Sequence, residues 1–237
     1  MDIAGGRVGA GSRAARLLGV LGGTFDPIHY GHLRLAADVR DALGLGEVRL
    51  IPAGQPPHRA PPVASAEHRL AMTQLGCAEF AGLAADAREV RRDGPSYTVL
   101  TLDSLRAEAP QRPLALILGG DAFAGLEQWW RWERLFALAH LLVIERPGVP
   151  FDARALSAEL KRQWGRRLID DSRGLDRSPA GAILRVKVTP QPISASAIRA
   201  TLARGAAGRD AVRGLLPAAV LEYIERNQLY RSAPDAT

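Results

Sequence analysis

The stretch LLGVLGGTFDPIHYGHL, Leu17 to Leu33, joins an apolar run to a helical pattern through a glycine loop, and that join decides the fold. Leu17 to Leu21 is short, wholly apolar and closed by glycines, the pattern of a strand buried on both faces. Beyond the loop, Leu35, Val39, Ala42 and Leu43 recur at helical spacing until Gly44 and Gly46 stop the helix. Val48 to Pro52 (VRLIP) reads as the next strand. Strand, loop, helix and strand in this order form a right-handed parallel unit.

The same alternation continues along the chain. Gly54 to Ala64 (GQPPHRAPPVA) is too rich in Pro for a helix or central strand and reads as a long loop. Glu67 to Phe80 reads as a helix, and a second begins near Ser96 to Thr98 and ends before Pro110. Leu114 to Leu118 (LALIL) is a buried strand closed by Gly119, Gly120 and Asp121. A helical stretch carrying EQWWRWERLFALA leads to the strand Leu141 to Glu145.

From Asp152 to Gly181 charge density rises and apolar periodicity weakens, which reads as a surface excursion rather than a second core. Ile183 to Val188 (ILRVKV) alternates faces and is expected at a sheet edge. Ser194 to Arg204 and Pro217 to Gln228 read as helices. The expected fold is α/β: a Rossmann-like doubly wound parallel sheet with a small C-terminal helical subdomain. The expected organisation is a disordered leader over 1–16, an α/β core over 17–190 with its excursion at 152–182, a helical part over 191–231, and a tail over 232–237.

Composition narrows the function classes. The chain has 237 residues, 47% apolar and 24% charged, as in an ordinary globular protein. Its formal net charge is +6, yet of 31 basic residues only Lys161 and Lys187 are Lys, so the balance reflects Arg usage. The Arg residues are scattered and only 5% of residues are aromatic, so nucleic acid is not the expected partner. The one cysteine, Cys77, excludes an intrachain disulfide, suits a reducing, cytoplasmic compartment and reads as a core residue. No apolar run reaches the ~18 residues of a membrane span, and residues 1–16 lack the apolar segment of a secretory signal.

A helix beginning at about His29 to His32 turns unpaired backbone N–H groups and its positive dipole end toward the loop, which makes an anion site. Gly22 and Gly23 let the backbone pass close to a bulky polyanion, and Asp26-Pro27 sets a turn. His29 and His32, three apart, share a helix face. A metal half-site is the competing reading of this pair, but no Cys or acidic cluster nearby supplies further ligands. Neither G-x-G-x-x-G nor GK[ST] is present, so the loop is neither a dinucleotide fingerprint nor a Walker loop.

GGTFDPIHYGHL together with ISASAIR (Ile193 to Arg199) resembles the HxGH nucleotidyltransferases. IPAGQPPHR, GPSYTVLTL, LILGGDAF, QWWRWERL and ERPG, in that order, resemble the bacterial nicotinate-nucleotide adenylyltransferases. The resemblance runs from about Leu17 to Arg231. It implies adenylyl transfer from ATP to nicotinate mononucleotide, with nicotinamide mononucleotide, phosphopantetheine or a noncatalytic nucleotide- or RNA-binding role as alternatives. It also implies Mg²⁺ carried by ATP rather than by a dedicated protein site, and it leaves room for a homo-oligomer.

Site residues follow by resemblance. His29, His32 and Arg199 would act on the triphosphate, His32 at the α-phosphoryl group and Arg199 at the β and γ phosphates. Gly22, Gly23, Thr24, Phe25, Gly119, Ile193, Ser194 and Ser196 complete the ATP site, the two serines capping their helix. Asp121 would meet the adenosine ribose. On the mononucleotide side stand Asp26, His58 with Arg59 in a lid, Trp129 stacked on the pyridine, backbone N–H groups near Thr98 and Trp130 at its carboxylate, and Arg146 at its phosphate. Glu145, beside Arg146, has no role in this reading.

Overall fold

The computed structural model describes residues 17–57, 60–145, 151–189 and 191–231. Strand β1 (Leu18–Gly23) leads through the loop into helix α1 (Tyr30–Leu43), then β2 (Glu47–Pro52), α2 (Ala66–Cys77), β3 (Leu83–Ala85) and α3 (Thr98–Glu108). The second half runs β4 (Leu114–Gly119), α4 (Gly120–Ala124), α5 (Leu135–Leu138), β5 (His140–Glu145), α6 (Ala158–Arg167), β6 (Leu168–Ile169) and β7 (Ile183–Lys187). Helices α7 (Ala195–Leu202), α8 (Ala206–Val212) and α9 (Ala218–Arg226) follow.

The strands form one parallel seven-stranded sheet in the order β3-β2-β1-β4-β5-β7-β6. Its all-apolar strands are explained by burial on both sides. Leu18 and Val20 of β1, Leu116 and Leu118 of β4, and Leu141 and Val143 of β5 enter one core cluster. Leu21, Ala115, Ile117, Leu142 and Ile144 enter the other, on the opposite face. Helix α1 buries Leu33, Ala36, Ala37 and Val39 on one stripe and stops at Gly44, whose φ of 62° is left-handed. The C-terminal helices contribute Ile198, Leu202, Val212, Val220 and Ile224 to the same cluster as Ile28 and Leu33 of the loop and α1. Strand order reverses between β1 and β4, which opens a crevice at their carboxyl ends.

Four sequence expectations change. Helix α2 ends at Cys77, not Phe80, because the chain turns at Gly82 (φ 74°) to enter β3, a strand of three residues too short to signal itself. The tryptophan segment is not a continuous helix but two 3₁₀ turns (Leu126–Gln128 and Trp132–Arg134) and the single turn α5, interrupted at Arg131 with φ 54°. Trp132 is partly buried against the core.

The 152–182 region is not merely an excursion. Leu156, Leu160 and Trp164 are buried in one core cluster and Leu175 in the other, and β6 adds a strand to the sheet. Strand β7 is therefore penultimate. Its alternation survives because Arg185 and Lys187 are exposed on one face while Leu184 and Val186 are buried on the other. Among the described residues no helix is long and apolar enough to cross a membrane.

Candidate active site

The loop from Gly22 to His29 is clamped from behind. Phe25 takes a left-handed φ of 49° and Asp26-Pro27 is a cis peptide. Arg69 of α2, 1% exposed, donates to three carbonyls: Thr24 (2.8 Å), Gly54 (3.2 Å) and Ala64 (3.2 Å). A cation so buried persists because each face of its guanidinium fork meets an acceptor. Asp26, 5% exposed, accepts at Oδ2 from Val63 N–H (2.8 Å) and at Oδ1 from Ala64 N–H (3.1 Å) and the Tyr230 hydroxyl (2.7 Å). Asp26 is thus the anchor of the loop rather than the mononucleotide contact expected from sequence: both its oxygens are already satisfied. That bond and burial push the Tyr230 hydroxyl far above its ordinary pKa.

The clamped loop delivers two imidazoles to the crevice. His29, at the N-cap of α1 with no side-chain capping bond, stacks on His32 with ring centroids 3.7 Å apart and planes at 27°. The Phe25 ring meets His32 edge-on at 5.0 Å, so its buried side chain is a wall for the imidazole rather than the expected nucleotide contact. Nδ1 of each imidazole is buried without a hydrogen-bond partner. Burial lowers His29 from 6.5 to about 4, and burial together with His29 lowers His32 to about 3. Both rings are accordingly neutral near pH 7. The helix end is less open than expected, since the Tyr30 N–H is taken by the Leu215 carbonyl at 3.0 Å.

His29 and His32 line a cavity of about 620 Å³ with Gly31, Gly119, Ile193, Ser194 and Ser196. Ser194 is the N-cap of α7 by position, but its hydroxyl makes no capping bond, contrary to the expectation that it and Ser196 cap the helix. Arg199 projects from α7 to the loop, donating to the Asp26 carbonyl at 2.7 Å and to Ser196 Oγ at 3.5 Å. It thus reaches the segment carrying the histidines. Asp121 stands exposed in the first turn of α4 and lines neither this cavity nor the next.

A second cavity, of about 330 Å³, is lined by Gly22, Gly23 and Thr24. Those three residues face it rather than the histidine cavity. Its other walls are Pro56 and Pro57 after β2, Glu89, Ser96 to Thr98 at the start of α3, and Trp129 and Trp130. Trp130, 40% exposed, lies 4.9 Å from the Tyr97 ring and carries the Arg131 guanidinium at 4.4 Å. Thr98 opens α3, where backbone N–H groups lack intrahelical acceptors. His58, Arg59 and Arg146 lie outside the described residues. Glu145 now has an account: buried at the end of β5, it is ion-paired to Arg185 of β7.

The sequence reading missed Arg69, Tyr230 and Glu89. Nothing in a sequence separates a buried Arg from a surface one, and Tyr230 meets Asp26 across 204 positions. Burial raises the Glu89 pKa, against hydrogen bonds from Thr101 and Ser96. Its place could not be read without β3, whose exit turn carries it.

A parallel sheet with two ligand-sized cavities at its switch point, one bearing paired imidazoles, defines the class of nucleotidyltransferases. The family described as cytidylyltransferase-like matches residues 20–201. The chain is 49% identical to a probable nicotinate-nucleotide adenylyltransferase of Dechloromonas aromatica, over 91% of this chain and 98% of that protein. It is 50% identical to one of Halorhodospira halophila, over 88% and 93%. By these measures the chain belongs to the nicotinate-nucleotide adenylyltransferase family. Its fold is also that of the Plasmodium falciparum nicotinic acid mononucleotide adenylyltransferase complexed with NaAD, with TM-score 0.66 and 15% identity over 91% of this chain and 97% of that one.

Proposed function

We propose that the protein transfers the adenylyl group of ATP to nicotinate mononucleotide, forming nicotinate adenine dinucleotide and pyrophosphate on the route to NAD. The observation that carries this reading is the pair of cavities at the carboxyl ends of the central strands, one lined by neutral imidazoles and two serines, the other by Gly22 to Thr24 and two tryptophans. The name shared by relatives of nearly half identity along most of the chain supports the choice of substrates. The triphosphate belongs in the larger cavity and the mononucleotide in the smaller, so that its 5′-phosphate attacks the α-phosphorus past the glycines.

A phosphate monoester has its second pKa near ~6, so the nucleophile is ionised at neutral pH and needs no general base. What the protein supplies is alignment and relief of charge on the transferring group and the departing pyrophosphate. His29 and His32 would donate to the phosphoryl oxygens, and an anion at their rings raises their pKa, so each can take up a proton as charge builds. Arg199 would exchange the Asp26 carbonyl for the β and γ phosphates, joined by the hydroxyls of Ser194 and Ser196. Mg²⁺ would enter with the triphosphate; the described residues lining the larger cavity include no Asp or Glu.

On the acceptor side, Trp129 would stack on the pyridine ring, while N–H groups at Thr98 and Trp130 would meet the carboxylate. An amide turned toward those donors leaves one of them unpaired, which favours the acid. Asp121 would serve the ribose, and His58 and Arg146 complete the mononucleotide contacts. A cytoplasmic location fits the single buried thiol of Cys77, whose pKa burial raises to about 12. The test is pyrophosphate release from ATP with nicotinate mononucleotide, nicotinamide mononucleotide, 4′-phosphopantetheine and glycerol phosphate. Release with nicotinate mononucleotide above the others is expected; preference for phosphopantetheine or glycerol phosphate would reject the reading.

A further inference from the structure

Among the described residues lining the two cavities, Glu89 is the only acid, and the mechanism above does not use it. It is 7% exposed in the turn after β3. Its carboxylate accepts from the Thr101 hydroxyl on α3 and from the Ser96 hydroxyl just before it. The Ser96 oxygen in turn accepts the N–H groups of Gly54 (2.9 Å) and Gln55 (3.1 Å), at the exit of β2. A hydroxyl has two lone pairs and one proton. With both lone pairs of Ser96 occupied, its proton needs an acceptor, and Glu89 is that acceptor.

Thr101 is constrained in the same sense. Both terminal nitrogens of Arg92 approach its oxygen at 3.4 Å, which leaves its proton for the carboxylate. The contact is tight in the backbone too: a Cβ at Gly54 would overlap the Glu89 carbonyl oxygen. One carboxylate therefore joins three segments that wall the tryptophan cavity, namely the β2 exit, the residues preceding α3, and α3 itself. A carboxylate accepts both hydroxyls on either oxygen, whereas a glutamine of the same shape has one acceptor oxygen and an N–H₂ group, which weakens the hold on the pair.

We propose that Glu89 is a positioning residue for the acceptor substrate: through Ser96 and Thr101 it holds the first turn of α3, with its carboxylate-facing N–H groups, in register with the β2 exit. The proposal rests on nicotinate mononucleotide being that acceptor. It is tested by steady-state kinetics of Glu89→Gln against both substrates. The KM for nicotinate mononucleotide should rise about tenfold and the preference over nicotinamide mononucleotide should fall, with KM for ATP and kcat within about threefold of wild type.

Ser96→Ala should give the same split, and the double variant should be no worse than either single one, as members of one network are not additive. If Glu89→Gln does not fold, Ser96→Ala and Thr101→Val carry the test on the same readout. An unchanged mononucleotide KM, or a parallel loss on both substrates together with a lowered melting temperature, overturns the proposal. Wild-type protein inactive on nicotinate mononucleotide would instead reject the proposed function, so the two failures are distinct.

Discussion

The two cavities are built on opposite principles. In the larger one, polar groups are left unsatisfied: two imidazole Nδ1 atoms without partners and an N-cap serine that makes no capping bond. In the smaller one, the buried acid is hydrogen-bonded within the protein, Glu89 holding two hydroxyls beside the lining Trp129 and Trp130. An unsatisfied site costs free energy until a charged ligand fills it, whereas a saturated apolar site is ready for a flat ring. The contrast separates a site made to respond to developing charge from one made to hold a substrate.

If that contrast is right, substitutions on the two sides should differ in kind as well as size. His32→Ala should lower kcat on the order of 10²-fold while leaving KM for ATP nearly unaltered, because its donation matters where charge builds. Initial rates over a range of ATP would show this; an unaltered kcat with raised KM would make the imidazole an ordinary binding group. Trp129→Ala should raise KM for the mononucleotide about tenfold, the scale of base–aromatic stacking, with little change for ATP. An equal effect on both substrates would erase the distinction between the cavities.

The unsatisfied side should also show in stability. His29 and His32 titrate near 6.5 when unfolded but near about 4 and about 3 when folded. Between those values the unfolded chain binds protons that the folded one refuses, so stability of the free protein should fall as pH drops from about 6.5 toward 4. Denaturant midpoints across that range should slope less in a His29→Asn/His32→Asn variant; identical slopes would mean the rings are solvated. The smallest effect concerns the scaffold behind both cavities: Tyr230→Phe removes the bond to Asp26 and should cost about 1 kcal/mol by urea unfolding. A neutral result would show that the loop does not depend on the C-terminal anchor.

The same contrast explains what the sequence made legible. The imidazoles and serines of the larger cavity come from the start of α1 and the start of one later helix, so the spacing of glycines and histidines after an apolar run pointed to the first and the ISASAIR segment to the second. The central strands β1, β2, β4 and β5 were equally readable because burial on both faces makes their middles predominantly apolar. The smaller cavity is assembled from several short segments whose pairing is tertiary. A three-residue β3, a tryptophan segment broken at the left-handed Arg131 and an acid that bonds across a turn leave no periodic trace. Asp26 misled for a related reason: an Asp in a ligand-facing loop looks like a ligand contact, and only the positions of Val63, Ala64 and Tyr230 show that it faces inward.

Proton NMR titration of the His29 and His32 rings, without and with a nonhydrolysable ATP analogue, tests the central claim most directly. Both should titrate well below 6.5 in the free protein, near about 4 and about 3, and shift upward when the triphosphate binds. Rings that titrate at the ordinary imidazole value in the free protein, or that do not respond to the triphosphate, would contradict it.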